Sequence, residues 1–326
     1  MKNFFGVTLA MCMTVHLVAG GVYKHGTETT QCERHLKTTQ VSVLRTRSSS
    51  KPRPSTQVTT GKVISKDGTT IAFDELGKGP VVILITGALS DRSATAKLAE
   101  LLSPHFTVIN YDRRGRGESG DVQPYTVDRE VEDLEALIDH AGGSAFLFGT
   151  SSGAALALEA ARQLPRKVRK QALFEPPFIS DNSRAAVPAD FPSQLAGLVS
   201  SGRRGAAVEL FMTKGVGLST EVVAQMRSSP MWSGLEKLAH TLAYDMSVMG
   251  DNVSGKPLPD GRWTSVKASS LVMDGEKSDA WIRHSAAALA AILPRSEHRS
   301  LAGQNHTVAS TAPQVLVPIL VKFFSD

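Results

Sequence analysis

The chain has 326 residues, 41% hydrophobic and 21% charged, an ordinary globular composition that excludes wholesale disorder, collagen and a small disulfide scaffold. The net charge of +5 belongs to the first sixty residues, where eight Lys/Arg face two Asp/Glu; 28 Lys/Arg against 29 Asp/Glu remain beyond, so the body carries no basic surplus for nucleic acid. Cys12 and Cys32 both lie in that leading stretch, which excludes a thiol nucleophile, a disulfide or a cysteine-ligated metal from the body.

In chain order, Lys2 precedes an apolar run over 4–19 that closes on Val18-Ala19-Gly20, the small residues a signal peptidase accepts. Residues 1–20 therefore read as a secretory signal peptide, with a start codon further downstream as the alternative. The run is too short, and too interrupted by Thr8, Thr14 and His16, for a stable membrane span. A true leader implies a secreted or periplasmic protein; without it the protein is cytoplasmic. Residues 21–60 hold 14 Ser/Thr and Lys51-Pro52-Arg53-Pro54 with no apolar period, and read as a flexible basic linker.

The body opens with two short β-favouring runs, 61–65 and 69–73, about an Asp67-Gly68 hairpin turn. An unbroken apolar run over 81–85 marks a strand buried on both faces. Beyond it the pattern predicts a helix over 94–102, a strand over 106–111, a helix over 127–140, a strand over 145–148, a helix over 153–163 and a strand over 170–174. A strand over 270–273, a helix over 280–293, a strand over 297–301 and a helix over 315–324 close the chain. Such alternation implies a mostly parallel α/β sheet with helices on both faces, built from 61–175 and 268–326. Between them, 176–267 reads as helices alone (191–198, 206–212, 220–226 and 235–248), an inserted helical cap.

The strand over 145–148 runs into Gly149-Thr150-Ser151-Ser152-Gly153 and then an alanine-rich helix, a G-x-S-x-G in the strand–turn–helix context such a nucleophile requires. A glycine-rich turn with incidental serines is the plain alternative, which that context disfavours. Ser151 takes the central position, and Ser152 at the helix start offers its N–H to a developing oxyanion. Thr86-Gly87-Ala88-Leu89, after the strand over 81–85, is the second source of oxyanion donors, through Gly87 or Ala88. In Tyr111-Asp112-Arg113-Arg114-Gly115-Arg116-Gly117-Glu118-Ser119 the arginines suit a phosphate site, but a solvated or salt-bridged turn is the simpler reading. No helix opens on its glycines, so it is no dinucleotide fingerprint.

Taken with a late histidine in Gly303-Gln304-Asn305-His306, these motifs make 61–326 resemble the α/β-hydrolase superfamily over essentially the whole body. Thr86 stands where members often carry His. The resemblance implies a catalytic order of nucleophile, acid and histidine, hence His306 as the base. His298 sits within a strand, and His140, His240 and His284 on helices, where structural or solvated roles are expected; His105 precedes a strand outside the C-terminal loop. Two residues compete as the acid. Asp279 lies 27 residues before His306, near the usual position but one residue late, and also suits a helix N-cap. Glu175 lies 24 residues after Ser151 in Phe174-Glu175-Pro176-Pro177-Phe178, where a buried carboxylate needs a partner such as an imidazolium. Zearalenone lactonases, similar in the Ser-Ser-Gly elbow and this spacing, take their acid there. Glu175 is preferred, with Asp274 a minor third option.

The resemblance implies a cofactor-independent and metal-free serine hydrolase acting on an ester or lactone of a small molecule, of the esterase/lactonase type. Met212, Met226, Met231, Tyr244, Met246, Met249 and above all Trp232 suit an apolar pocket, although packing within the cap explains them equally. The alternatives are a small-molecule receptor on the same fold, or a thioesterase, acyltransferase or C–C hydrolase. Oligomeric state and substrate identity leave no trace in the sequence.

Overall fold

In the computed structural model, which describes residues 57–326, the Asp67-Gly68 turn joins two antiparallel strands, β1 (Val58–Ile64) and β2 (Thr70–Leu76). Gly68 supplies the left-handed backbone at φ 88°, and the Asp67 carboxylate accepts the Thr69 N–H at 2.9 Å. Strand β1 starts inside the stretch assigned to the linker. Val58, Thr59 and Thr60 pair with Leu76, Glu75 and Asp74, because β-branched residues that look like linker in composition fit a pleated edge. The expected signal peptide over 1–20 and the linker up to 56 lie outside the described residues.

The remaining core elements are β3 (Val81–Ile85), α1 (Ala96–Leu102), β4 (Thr107–Tyr111), α2 (Val127–His140), β5 (Ala145–Thr150), α3 (Ser152–Gln163) and β6 (Val168–Phe174). After β6 come five helices, α4 (Phe191–Ser200), α5 (Arg204–Leu210), α6 (Thr220–Arg227), α7 (Trp232–Leu238) and α8 (Leu242–Met249). The chain then completes β7 (Ser269–Gly275), α9 (Ala280–Ile292), β8 (Ser296–Leu301), α10 (Val308–Thr311) and α11 (Pro313–Ser325). The eight strands form one sheet in the order β1-β2-β4-β3-β5-β6-β7-β8, parallel from β4 to β8. This is the α/β architecture expected of the alternation.

Both faces are covered. On one side Ile83, Ile85, Leu147 and Leu173 pack with Leu134 and Leu137 of α2, with the alanine face of α3 and with the inserted helices. On the other, Val82, Leu84, Phe148 and Met273 meet Leu98 and Leu102 of α1 and Leu316, Leu320 and Phe324 of α11. Burial on both faces explains why β3 and β5 read as continuous apolar runs. The single helix expected over 235–248 is broken into α7 and α8 by a 3₁₀ turn, Ala239–Thr241. Thr241 turns its hydroxyl onto the Leu238 carbonyl at 2.8 Å, the competition with helical bonding that bends helices at Ser and Thr. No helix among the described residues is long and apolar enough to cross a membrane.

Strand β3 has β4 on one side and β5 on the other, so the connections from β3 and β5 leave in opposite directions and open a crevice at their carboxyl ends. In open α/β sheets that switch point is where ligands bind. Ser151 follows β5, and Thr86-Gly87-Ala88 follows β3, so both border it.

Candidate active site

Ser151 sits between β5 and α3 with φ 55° and ψ −129°, a conformation that costs a non-glycine residue on the order of 1–3 kcal/mol. The neighbouring glycines make it attainable. A Cβ on Gly149 would stand 2.4 Å from the Gly153 carbonyl, and one on Gly153 would stand 2.3 Å from the Ile85 carbonyl. The turn is thus too tight for side chains at both ends of G-x-S-x-G. It is pinned by the Ser151 N–H, which donates to the Phe174 carbonyl at 2.9 Å, and by the Ser151 carbonyl, which accepts from Ala154 at 2.9 Å as α3 begins. Ser152 opens α3, so its N–H has no helical carbonyl behind it to bind.

His306 and Glu175 meet. The Nδ1 atom of His306 lies 2.5 Å from Glu175 Oε2, and Glu175 Oε1 accepts the Gly275 N–H at 2.7 Å. Glu175 is fully buried, one residue beyond β6, and itself held at φ 49° with its N–H on the Met273 carbonyl at 2.9 Å. The histidine side chain is 44% exposed. Its loop comes this close because β7 ends in glycine: a Cβ on Gly275 would stand 2.5 Å from the Gln304 carbonyl. The Lys277 N–H then clasps that same carbonyl at 2.8 Å.

The loop after β3 lies against Ser151. A Cβ at Gly87 would sit 2.9 Å from Ser151 Cβ and 3.5 Å from its Oγ, so only a glycine lets this loop approach the hydroxyl so closely. Leu89 completes the bend at φ 54°. A strained hydroxyl after β5, an imidazole held through Nδ1 by a buried carboxylate after β6, and a glycine loop after β3 packed against the serine thus all lie at the carboxyl ends of the parallel strands.

The alpha/beta hydrolase family model matches residues 82–319, from the start of β3 into α11. The chain belongs to the alpha/beta hydrolase family. A crystal structure of an alpha/beta hydrolase from Sphaerobacter thermophilus is similar with 52% identity and a TM-score of 0.74, covering 81% of this chain and 100% of that one. The enol-lactonase of Burkholderia xenovorans shares the fold at 18% identity and a TM-score of 0.61, covering 82% of this chain and 100% of that one. Among curated proteins, 2-(acetamidomethylene)succinate hydrolase of Mesorhizobium japonicum is 25% identical over 78% of this chain and 91% of its own length. The "Uncharacterized hydrolase YraK" of Bacillus subtilis is 30% identical over 33% of this chain, and the match spans 42% of that protein.

Neither alternative acid of this hydrolase bonds His306. Asp279 is exposed at the N-cap of α9, and even there its carboxylate makes no capping bond. Asp274 is buried in β7 against His298, whose Nε2 lies 2.5 Å from Oδ2. Trp232, expected in the pocket, is buried at the start of α7 and gives its indole N–H to Glu236 of the same helix at 3.0 Å. The arginines of the turn over 111–119 are salt-bridged and buried rather than solvated. Arg114 is bidentate to Asp133 (2.8 and 2.7 Å), and Arg113 to Glu130 (2.8 and 2.9 Å).

Sequence reasoning missed where the rest of that charge goes. Asp245, in α8 of the insertion, is 1% exposed and accepts from Arg113 at 2.8 Å, from Arg116 at 2.8 and 2.9 Å and from Ser152 Oγ at 2.7 Å. Burial alone would raise its carboxyl; Arg116 and Arg113 outweigh that and hold it below the ordinary carboxylate range. The available signal was a lone acid in the otherwise apolar run Leu242-Ala243-Tyr244-Asp245-Met246.

Proposed function

We propose that this hydrolase is a cofactor-independent serine esterase or lactonase that forms an acyl-enzyme on Ser151. The observation that carries the proposal is the bond from His306 Nδ1 to buried Glu175, whose preceding residue, Phe174, accepts through its carbonyl the N–H of a serine held at φ 55°. Oriented in this way, the imidazole has Nε2 left to take the Ser151 proton as Oγ attacks the acyl carbon. The N–H groups of Ser152 and of Ala88 or Gly87 bind the oxyanion of the tetrahedral intermediate. As it collapses, His306 returns the proton to the departing alkoxide, which leaves as an alcohol; from a lactone that alcohol stays tethered to the acyl group. A water that gives its proton to His306 then attacks the ester of Ser151, and His306 passes that proton to the departing Oγ, releasing the acid and restoring the serine.

The helices between β6 and β7 serve as a cap that contributes apolar surface toward the substrate. The enol-lactonase fold and the succinate hydrolase relative are consistent with carboxylic substrates. The test is a panel of p-nitrophenyl esters of short and medium acyl chains together with simple lactones. Ser151→Ala should lose on the order of 10⁴- to 10⁶-fold in kcat while keeping its circular dichroism spectrum. Undiminished turnover in that variant removes the acyl-serine, and ligand binding without turnover in the wild type assigns a receptor instead.

A further inference from the structure

The geometry points to Asp245 as a positioning residue that aims the oxyanion donors Gly87, Ala88 and Ser152 from the inserted helices, an inference that rests on the hydrolase reading above. Three donors converge on one oxygen: Asp245 Oδ1 accepts from Arg113 Nη1, Arg116 Nη2 and Ser152 Oγ, at 2.8, 2.8 and 2.7 Å. The two arginines do not stop there. Arg113 Nη1 also donates to the Thr86 carbonyl at 3.2 Å, and Arg116 Nη1 donates to the Gly87 carbonyl. Ser90 Oγ donates to that same Gly87 carbonyl at 2.8 Å.

A peptide unit is planar, and in the trans form its C=O and N–H point opposite ways. Holding the Thr86 carbonyl on Arg113 therefore sets the direction of the Gly87 N–H, and holding the Gly87 carbonyl on Arg116 sets that of the Ala88 N–H. Ser152, the third donor, is tethered to the same carboxylate by its own side chain. One acid on α8 thus orients donors from two separate strand ends, and the charged contact to each carbonyl also polarises the N–H across the peptide bond.

Stability alone does not account for such a cluster. Arg113, Arg116, Glu130 and Asp245 are all within 1% of full burial, and buried ion clusters gain little over apolar packing because desolvation cancels most of the attraction. What the cluster supplies is fixed direction. Oxyanion donors act in the transition state only if they are already aimed when charge develops.

The experiment compares Asp245→Ala, Asp245→Asn and Val223→Ala, the last a buried residue of α6 outside the network, used to match the loss of stability. Each is assayed with a p-nitrophenyl ester, melted, and labelled with nitrogen isotope so that the amide resonances of Gly87, Ala88 and Ser152 are read directly. Expected is a fall in kcat on the order of 10- to 100-fold in Asp245→Ala with KM nearly unchanged, since removal of a whole oxyanion donor costs about 10²- to 10³-fold. Asp245→Asn, which keeps the volume and one acceptor oxygen, should fall between it and the wild type. In Asp245→Ala the three amide resonances should shift together; in Val223→Ala they should stay in place with kcat retained. Unmoved resonances in Asp245→Ala, or a kcat loss no larger than that of Val223→Ala at equal melting temperature, overturn the inference. Should the wild type turn over no ester, the hydrolase reading fails, and the resonances alone decide whether Asp245 orients these amides.

Discussion

Two carboxylate–histidine pairs stand one strand apart at the carboxyl side of the sheet, and their bond lengths do not distinguish them. Glu175 Oε2 meets His306 and Asp274 Oδ2 meets His298, each at 2.5 Å, and both carboxylates are at most 1% exposed. The ring nitrogens differ. Glu175 takes Nδ1 and leaves the tip of the ring, Nε2, for a reacting group; Asp274 takes Nε2 and leaves only the nitrogen nearest the histidine's own backbone. The backbones differ too. Asp274 lies in a regular strand, opposite Ser300, whose hydroxyl donates to its other oxygen at 2.8 Å. Glu175 has left the strand and is held at φ 49°. Burying a carboxylate calls for a polar partner wherever it happens, so a close imidazole by itself marks a solved desolvation problem. Orientation of the ring, together with local backbone strain, is what distinguishes the two pairs, and under the proposed mechanism only Glu175–His306 leaves Nε2 free for chemistry.

The largest effect that tests this contrast is expected from Glu175→Gln, which keeps the shape but removes the charge that steadies an imidazolium. Its kcat should fall by a factor on the order of 10³ to 10⁴, measured on whichever ester the wild type hydrolyses best. Next in size is Asp274→Asn, whose effect should fall on stability. A loss of about 2 kcal/mol in urea unfolding is expected from a weakened buried bond, with kcat within a fewfold of wild type. A kcat collapse there would merge the two pairs into one functional unit. The smallest effect is expected from Asp279→Asn. That residue is exposed and makes no capping bond, so melting should shift by the equivalent of less than about 1 kcal/mol and turnover should be unchanged. Loss of activity in Asp279→Asn with survival of Glu175→Gln would transfer the acid's role to the later strand.

Local chemistry alone determined a good deal of this protein. The sheet was legible because strands buried on both faces must be apolar throughout, as 81–85 is, and because helices between them need one apolar stripe. Ser151 was legible for a similar reason: its turn requires glycines two residues away on either side, and those are neighbours in sequence. Where contacts are distant, the pattern fails. Which carboxylate meets His306, 131 residues on from Glu175, follows from the pairing of β6 with β7 and from the space left by Gly275, and no periodicity encodes either. The bonds from Arg113 and Arg116 to Asp245 span 132 and 129 residues, and a run of three arginines looks the same in sequence whether it meets solvent, phosphate or a buried acid. The start of β1 and the break between α7 and α8 belong to the same class. Threonines that resemble linker or helix become strand edge or bend only when a particular partner, Asp74 for Thr60 and the Leu238 carbonyl for Thr241, is within reach. Backbone strain and burial are local demands that residues answer in place; pairing between distant groups is settled only when the tertiary structure brings them together.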